Sequence, residues 1–214
     1  MRKTALEKDK TIMDYDTVSL DDEGDAVVII DQTLLPERTE LICLKTAEEI
    51  WDTIYLLKVR GAPAIGVTAA FGIYLLAKAC REENYDRFLA EFRKNKEYLD
   101  SSRPTAVNLS WALNRMERVV TENADRPVPQ IVSLLKKEAE EIRDEDIRVC
   151  RKIGEYGLTL VKKGDGILTH CNAGQLATVR YGTATAPIYL GQERGYGFHV
   201  YADETRPLLQ GARL

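Results

Sequence analysis

One cysteine stands at a turn where its thiol could do chemistry. The stretch ILTHCNAG, from Ile167 to Gly174, is typical of a short buried strand that ends in a turn containing Cys171. In an open parallel sheet, ligands bind at the carboxyl ends of the strands, where loops lead into helices. A thiol at a helix N-terminus has its thiolate favoured by exposed backbone N–H groups and by the helix dipole. Cys171 is therefore a candidate acid–base group, and burial as a small hydrophobic side chain is the alternative.

The neighbours of Cys171 argue against several other kinds of site. His170 precedes it directly, and adjacent strand residues point to opposite faces, so we expect a hydrogen-bonding histidine rather than a Cys–His pair. The turn THCNAGQLATVRYG lacks the GxGxxG pattern that lets a backbone approach a pyrophosphate, which argues against a dinucleotide site. Four widely spaced cysteines without a CxxC pair, and only two histidines, predict neither a disulfide framework nor a metal site.

Two arginine loops could bind an anion. KVRGAPAIG places Arg60 and Gly61 just before a helix, with free backbone amides at Gly61 and Ala62, and SSRPTAVNL places Arg103 at a second helix start. Guanidinium groups beside helix N-termini are suited to phosphate. Each arginine alone is more often a solvated or salt-bridged surface residue, and this alternative stays open, although the occurrence of both shifts the balance toward a phosphate site.

Composition limits the partners of the chain. The net charge of −4 and the pI near 5.4 argue against general binding to nucleic acid. The charged N-terminus MRKTALEKDKTIMDYD lacks the apolar stretch of a signal peptide. The uncharged run from Gly61 to Ala77 is short for a membrane span and rich in small residues, so it predicts a buried core helix. We therefore expect a cytoplasmic protein that binds no membrane.

Strands and then helices are predicted before the cysteine turn. Residues 17–34 are typical of two short strands around an acidic turn, and LPERTELICLK favours a third. Helical periodicity follows in TAEEIWDTIYLLKV, GAPAIGVTAAFGIYLLA, ENYDRFLAEFRKNKEYLDSSRP, TAVNLSWALNRMERVVTE and the stretch Ile131–Val161. Thr46 predicts the start of the first helix, and Gly154 with Gly157 predicts a break or bend in the last.

The periodicity changes again after the KKGDG turn. ILTH and GFHVYADE are typical of short buried strands on either side of a helix at Ala177–Leu190, which makes one β-α-β unit. Two parallel strands leave apolar faces and edges uncovered, so we expect most of this sheet to be missing. The predicted fold class is α/β. Residues 1–150 form an N-terminal domain of short strands and then helices, and residues 151–214 begin a Rossmann-like parallel-sheet domain that is incomplete in this chain.

Five segments occur in an order that is typical of one family. They are RGAPAIGVTAAFG, RPTAVNLSWAL, THCNAG, YGTATAPIYL and DETRPLLQGARL. Together they resemble the methylthioribose-1-phosphate isomerase family of methionine salvage, from about residue 17 to the last residue. That family is related to the regulatory subunits of the translation-initiation nucleotide exchange factor and to ribose-1,5-bisphosphate isomerases.

The resemblance implies an aldose–ketose isomerisation of S-methyl-5-thioribose 1-phosphate, with hydrogen moved between C2 and C1 in a site that excludes water. It implies that Cys171 is the catalytic thiol. The positions that match substrate-binding residues are Arg60, Gly61, Ala62, Arg103 and Gln210. The resemblance implies a homodimer whose partner is a small sugar phosphate, and it implies no cofactor and no metal.

The same resemblance implies a second acid–base group, an aspartate in a segment that follows the equivalent of Leu214. Asp203 belongs to a different motif and does not match it. We therefore expect the chain to be an N-terminal fragment of such an isomerase, with impaired activity. Two alternatives stay open: a regulatory or scaffolding protein like the exchange-factor subunits, and an isomerase of another phosphorylated pentose.

Overall fold

Two sheets and six α-helices make up residues 2–4 and 14–213, the part of the chain that this computed structural model describes. The first sheet is antiparallel, in the order β1-β4-β3-β2. Its strands are β1 Arg2–Thr4, β2 Val18–Leu20, β3 Val27–Ile30 and β4 Leu41–Leu44. The three strands predicted from residue 17 onward are confirmed, and β1 is an addition that pairs with β4.

A bundle of helices follows this sheet. The helices are α1 Ala47–Tyr55, α2 Ala62–Ala79, α3 Tyr85–Asp100, α4 Val107–Glu122, α5 Val128–Gly157 and α6 Ala186–Glu193. Helix α2 is long and apolar enough to cross a membrane, but 72% of it is buried inside the protein. It packs against α1, α3, α4, α5 and β2, so its small and apolar residues form the centre of the core. The predicted core helix is confirmed.

Capping explains why α1 begins where the sequence predicts. The Thr46 hydroxyl accepts a hydrogen bond from the Glu49 backbone N–H at 3.2 Å, and the Glu49 carboxylate accepts one from the Lys45 N–H at 2.7 Å. This pair of bonds satisfies backbone donors that have no partner inside the first turn. The arrangement directs the chain from β4 into α1 and onward to the Arg60 loop.

The close crossing of α5 and α6 corrects one prediction. Helix α5 continues through Gly154 and ends at Gly157, so a break at Gly154 is wrong. A Cβ on Gly154 would lie 2.6 Å from a Leu190 methyl carbon, and one on Gly157 would lie 2.3 Å from the Pro187 ring. Both glycines therefore allow α6 to approach α5, and the helix tolerates Gly154 because packing compensates for its low propensity.

The second sheet pairs β5 (Gly166–Thr169) with β6 (His199–Ala202) in parallel, which confirms the β-α-β unit. Its strands are mostly exposed rather than buried: Leu168 is 68% exposed and Tyr201 is 63% exposed. The prediction of buried strands is therefore wrong, because α6 packs on α5 and the described residues leave these side chains uncovered. The division into residues 1–150 and 151–214 stays a prediction, and α5 runs across that boundary.

Candidate active site

Cys171 lies immediately beyond the carboxyl end of β5, and its side chain is exposed. Its backbone has a φ of 63°, in the left-handed region that non-glycine residues rarely adopt. The Cys171 N–H donates to the Thr205 hydroxyl oxygen at 3.0 Å, and that hydroxyl donates to the Asp203 carbonyl at 3.2 Å. The turn after β5 is therefore bound to the segment that follows β6. The alternative of a buried Cys171 is wrong.

The helix expected directly after Cys171 is not there. A short 3₁₀ helix spans Gln175–Ala177, and α6 begins only at Ala186. Tyr181 and Gly182 interrupt any earlier helix, because their φ values of 69° and 71° are left-handed. The prediction that a helix N-terminus favours the Cys171 thiolate is therefore wrong.

Hydrogen bonds to the residues before α6 hold the cysteine turn instead. The Ala173 carbonyl accepts bonds from the Thr183 N–H at 2.9 Å and from the Thr185 hydroxyl at 3.1 Å. Gly182 permits this approach, since a Cβ there would lie 2.5 Å from the Ala173 carbonyl oxygen. The turn is thus held from both sides, by the threonines before α6 and by Thr205.

His170 does not pair with the thiol. Its Nδ1 lies 3.0 Å from the Asp203 carboxylate, and the two side chains are 68% and 52% exposed. This confirms the prediction of a hydrogen-bonding histidine. Asp203 is therefore the hydrogen-bonding partner of His170, and its exclusion from the catalytic roles stays a prediction.

Gly61 brings the Arg60 loop against the cysteine turn. Its φ is 92°, and an added Cβ would lie 2.4 Å from the Ala177 Cα and 2.6 Å from the Ala177 carbonyl oxygen. Ala177 belongs to the 3₁₀ helix that follows Cys171, so this contact sets the distance between the two loops. Ala62 then begins α2 and is exposed.

The charges of the site converge on Arg60. Burial lowers the pKa of the half-buried Arg60, the positive charge of Arg213 lowers it further, a Cys171 thiolate raises it, and Arg103 lowers it. Within residues 2–4 and 14–213, the side chains of Arg60, Arg103 and Arg213 make no hydrogen bond or ion pair. Arg60 is therefore influenced by two further guanidinium groups and by the Cys171 thiol. No carboxylate among the described residues pairs with the three arginines, which favours an anionic ligand.

Three further polar groups of this region are buried without a partner among the described residues. They are the Thr169 hydroxyl at the end of β5, the Gln210 side-chain carbonyl, and the Nε and Nη1 of Arg213. Buried polar groups normally have hydrogen-bond partners, and one left unpaired costs about 1–3 kcal/mol. A polar ligand that contacts them would remove this cost.

Sequence reasoning singled out Gln210 but missed Thr169 and Arg213. The available signal was position: Thr169 precedes the cysteine turn by two residues, and Arg213 lies in the DETRPLLQGARL segment. The assigned roles of Cys171, Arg60 and the other matched positions stay predictions.

A cavity of about 230 Å³ lies between α2, α4 and α5. Its lining includes Pro63, Val67, Trp111, Ile142, Glu145 and Asp146. Burial raises the pKa of Asp146, whose carboxylate accepts a hydrogen bond from the Val179 N–H at 2.7 Å. Pro63 lies in the turn that follows the Arg60 loop, so the cavity adjoins the cationic region with an apolar wall and two acidic side chains.

Comparison with known proteins adds independent information. Residues 58–214 match the model of the Initiation factor 2 subunit family. The chain is 61% identical over 197 residues to a methylthioribose-1-phosphate isomerase of Symbiobacterium thermophilum, covering 92% of this chain and 55% of that protein. It is 55% identical over 197 residues to a 5-deoxyribose 1-phosphate isomerase of Clostridium botulinum, covering 92% and 56%. The chain thus spans about half the length of the curated relatives it matches.

Two solved structures resemble the fold closely. The 5-methylthioribose 1-phosphate isomerase of Pyrococcus horikoshii OT3 superposes with a TM-score of 0.89 at 39% identity, over 98% of this chain and 59% of that one. The translation initiation factor eIF-2B subunit delta of A. fulgidus gives 0.85 at 40% identity, over 94% and 57%. An isomerase and an initiation factor subunit therefore share this architecture.

Proposed function

The chain belongs to the initiation factor 2 subunit family, and within that family we propose that it is a sugar-phosphate isomerase. The proposed reaction converts S-methyl-5-thioribose 1-phosphate to S-methyl-5-thioribulose 1-phosphate, a step of methionine salvage. The observation that carries the proposal is the set of charges that act on Arg60, which are those of Arg213, of Arg103 and of the exposed Cys171. A scaffold has no use for three unpaired cations beside a reactive thiol.

The arrangement suggests how the ligand is bound. The phosphate on C1 binds between the Arg60 and Arg103 guanidinium groups, which neutralise its charge. This places C1 and C2 of the sugar within the reach of Cys171. Gln210, whose side-chain carbonyl is buried without a partner among the described residues, accepts a hydrogen bond from a sugar hydroxyl.

In the proposed reaction the ring oxygen gains a proton as the ring opens, one hydrogen moves from C2 to C1, and the C2 hydroxyl loses its proton as C2 becomes the ketone, while the phosphate stays attached. The Cys171 thiolate accepts a proton and the thiol returns one, so no external oxidant or reductant is needed. The family resemblance assigns the second acid–base group to an aspartate beyond the equivalent of Leu214. Loss of one such group typically costs about 10²–10⁴ in rate, so we expect low turnover from these 214 residues alone.

The apolar cavity beside Pro63 suggests which sugars fit. An uncharged 5-substituent, such as a methylthio group or hydrogen, can enter a cavity lined by Val67 and Trp111. A 5-phosphate would lose its hydration in this largely apolar cavity, and its two acidic groups offer no compensating positive charge, because Glu145 already pairs with Arg115 at 2.5 Å. We therefore expect methylthioribose 1-phosphate and 5-deoxyribose 1-phosphate to compete for the site, and ribose 1,5-bisphosphate to bind more weakly than either.

Three wider features belong to the same proposal. The β5–β6 unit is the first part of a Rossmann-like sheet, and residues 1–150 and 151–214 are separate domains. The active protein is a cytoplasmic homodimer. It uses neither a cofactor nor a metal, because thiol and carboxylate groups suffice for a proton transfer between adjacent carbons.

The decisive experiment follows deuterium from solvent into the sugar. The purified chain is incubated with methylthioribose 1-phosphate in D₂O, and exchange at C1 and C2 is followed by NMR together with ketose formation. We expect exchange or turnover that is lost in Cys171→Ala and retained in Cys80→Ala, a half-buried cysteine of another region. Equal exchange in Cys171→Ala and wild type would remove the thiol from the mechanism.

A second candidate function is a regulatory subunit, favoured by the similarity to the A. fulgidus initiation factor subunit. Such a protein would act through its helical surface and would not need the cationic region. It is favoured if no sugar phosphate raises the melting temperature while a purified initiation factor partner binds tightly. A rise in melting temperature that needs Arg60 and Arg103 favours the isomerase.

A further inference from the structure

We propose that Arg213 is a third guanidinium of the phosphate site and contacts the phosphate dianion directly. The inference deepens the proposed function, because it assigns a ligand contact to a residue outside the set that the sequence identified. The ligand class is a phosphate monoester dianion, or inorganic phosphate as its simplest form.

The first argument is the burial of unpaired donors. The Nε and Nη1 atoms of Arg213 are both buried and have no partner among the described residues. An arginine keeps its charge under all ordinary conditions, so it cannot escape the cost of burial by losing a proton. A buried cation is found paired with an anion or with hydrogen-bond acceptors. Among residues 2–4 and 14–213, Nε and Nη1 of Arg213 have neither, which favours an anionic ligand as their partner.

The second argument is the position of Arg213 beside other cations. It is the charge with the largest influence on Arg60, and Arg103 adds to the same positive field. Like charges in a partly buried region repel each other unless an anion lies between them. A phosphate dianion offers several oxygen acceptors, and a planar guanidinium binds two of them at once through parallel N–H groups.

The third argument is that the backbone holds Arg213 in place without help from its side chain. The 3₁₀ helix Gly211–Arg213 packs so closely that a Cβ on Gly211 would lie 1.7 Å from the Asp203 carbonyl oxygen. The Leu209 N–H donates to the Thr205 carbonyl at 2.9 Å, and Thr205 also holds Cys171. The segment is thus joined to the cysteine turn by backbone contacts, which leaves the guanidinium free for a ligand.

The test measures binding of inorganic phosphate to the 214-residue chain by calorimetry and by the rise in melting temperature. The variants are Arg213→Gln, which removes the charge, and Arg213→Lys, which keeps it without the planar fork. Arg206→Gln is the matched control, since Arg206 lies in the same segment, is exposed and pairs with Glu204 at 2.7 Å.

We expect Arg213→Gln to weaken phosphate binding by about tenfold or more, as loss of a charged hydrogen-bonding partner does. Arg213→Lys should recover part of the affinity, and Arg206→Gln should bind as wild type does. Without phosphate, Arg213→Gln should melt no lower than wild type, because removing one of three neighbouring cations relieves repulsion. A purely structural arginine would instead lower that melting temperature and leave the affinity of the folded protein unchanged.

The outcomes separate this inference from the proposed function. Wild-type phosphate affinity in Arg213→Gln overturns the role of Arg213 and leaves the isomerase proposal standing. Phosphate binding that depends on Arg213, without binding or exchange of the sugar phosphate, overturns the isomerase proposal alone. If wild type binds no inorganic phosphate, the role of Arg213 fails, and the isomerase proposal is decided by the exchange experiment with the sugar phosphate.

Discussion

Replacing Gly61 by alanine tests the contact that joins the Arg60 loop to the cysteine turn. Gly61 has a φ of 92°, and its missing side chain leaves room for the backbone of Ala177, whose Cα would lie 2.4 Å from a new Cβ. Because the obstructing atoms are backbone rather than the end of a flexible side chain, one loop must move. Arg60 is attached directly to Gly61, so its guanidinium would shift relative to Cys171.

Two costs add to give the expected magnitude. A non-glycine residue in such a backbone conformation costs about 1–3 kcal/mol. Overpacking a close contact costs about 1–3 kcal/mol more. Because Gly61→Ala incurs both costs, we expect its free energy of unfolding to fall by about 2–6 kcal/mol. For a protein of this size, each kcal/mol lowers the melting temperature by about 2–4 °C, so we expect a drop of about 4–24 °C.

Gly164→Ala is the matched control, because Gly164 also has a positive φ, of 80°, but no atom lies within 4 Å of its absent Cβ. Urea and thermal unfolding of both variants, followed by circular dichroism, separate the conformational cost from the contact. We expect Gly164→Ala to lose only the first cost. If Gly61→Ala is no less stable than Gly164→Ala, then the added Cβ does not clash with Ala177 and the reasoning fails.

Three other predictions concern single side chains. Burial, and secondarily the charge of Asp146, raises the pKa of the Cys150 thiol from 9.0 to about 12. The folded state therefore holds this proton more tightly than the unfolded state. The stability that this group contributes is fully present below about pH 9, and it should be lost as the pH rises toward 12. In urea unfolding, the free energy of unfolding should fall less steeply above pH 9 in Cys150→Ala than in wild type. In a thiol-labelling experiment near pH 8, mass spectrometry should find Cys171 modified in the folded protein and Cys150 only after unfolding, and fast labelling of Cys150 would contradict its burial. Thr46→Ala should lose about 1 kcal/mol of unfolding free energy and Thr46→Ser little, because serine can still accept the Glu49 N–H bond.

Local pattern determined most of the elements of this protein. Helix α1 begins at Thr46 because its cap depends on residues three positions apart, and such signals are visible in a sequence. Helix α2 was recognisable as a core helix because a long run of small apolar residues is stable only inside a protein or a membrane. The choice of Cys171 and the two arginine loops as candidate site residues likewise required only the residue types and their order in the sequence.

Tertiary contacts decided what local pattern could not. The small-residue run after Cys171 looks helical, yet Gly182 and Tyr181 adopt left-handed conformations because the turn packs against the Ala173 carbonyl. Gly154 stays helical for a similar reason, since α6 lies against it. In each case a contact between residues distant in sequence outweighs a propensity of about 1 kcal/mol.

In the candidate site, too, some features follow from the sequence and others from tertiary contacts. Sequence alone determined that a thiol and two arginines suited to a phosphate are present, because their chemistry is carried by residue type. Only the tertiary structure decided that the charge of Arg213 acts on Arg60 and that the Cys171 backbone N–H is bound by Thr205 rather than lying at a helix N-terminus. The physical reason is that electrostatic and hydrogen-bonding partners are set by distance in space. That distance depends on how the segment after β6 folds back on the turn after β5.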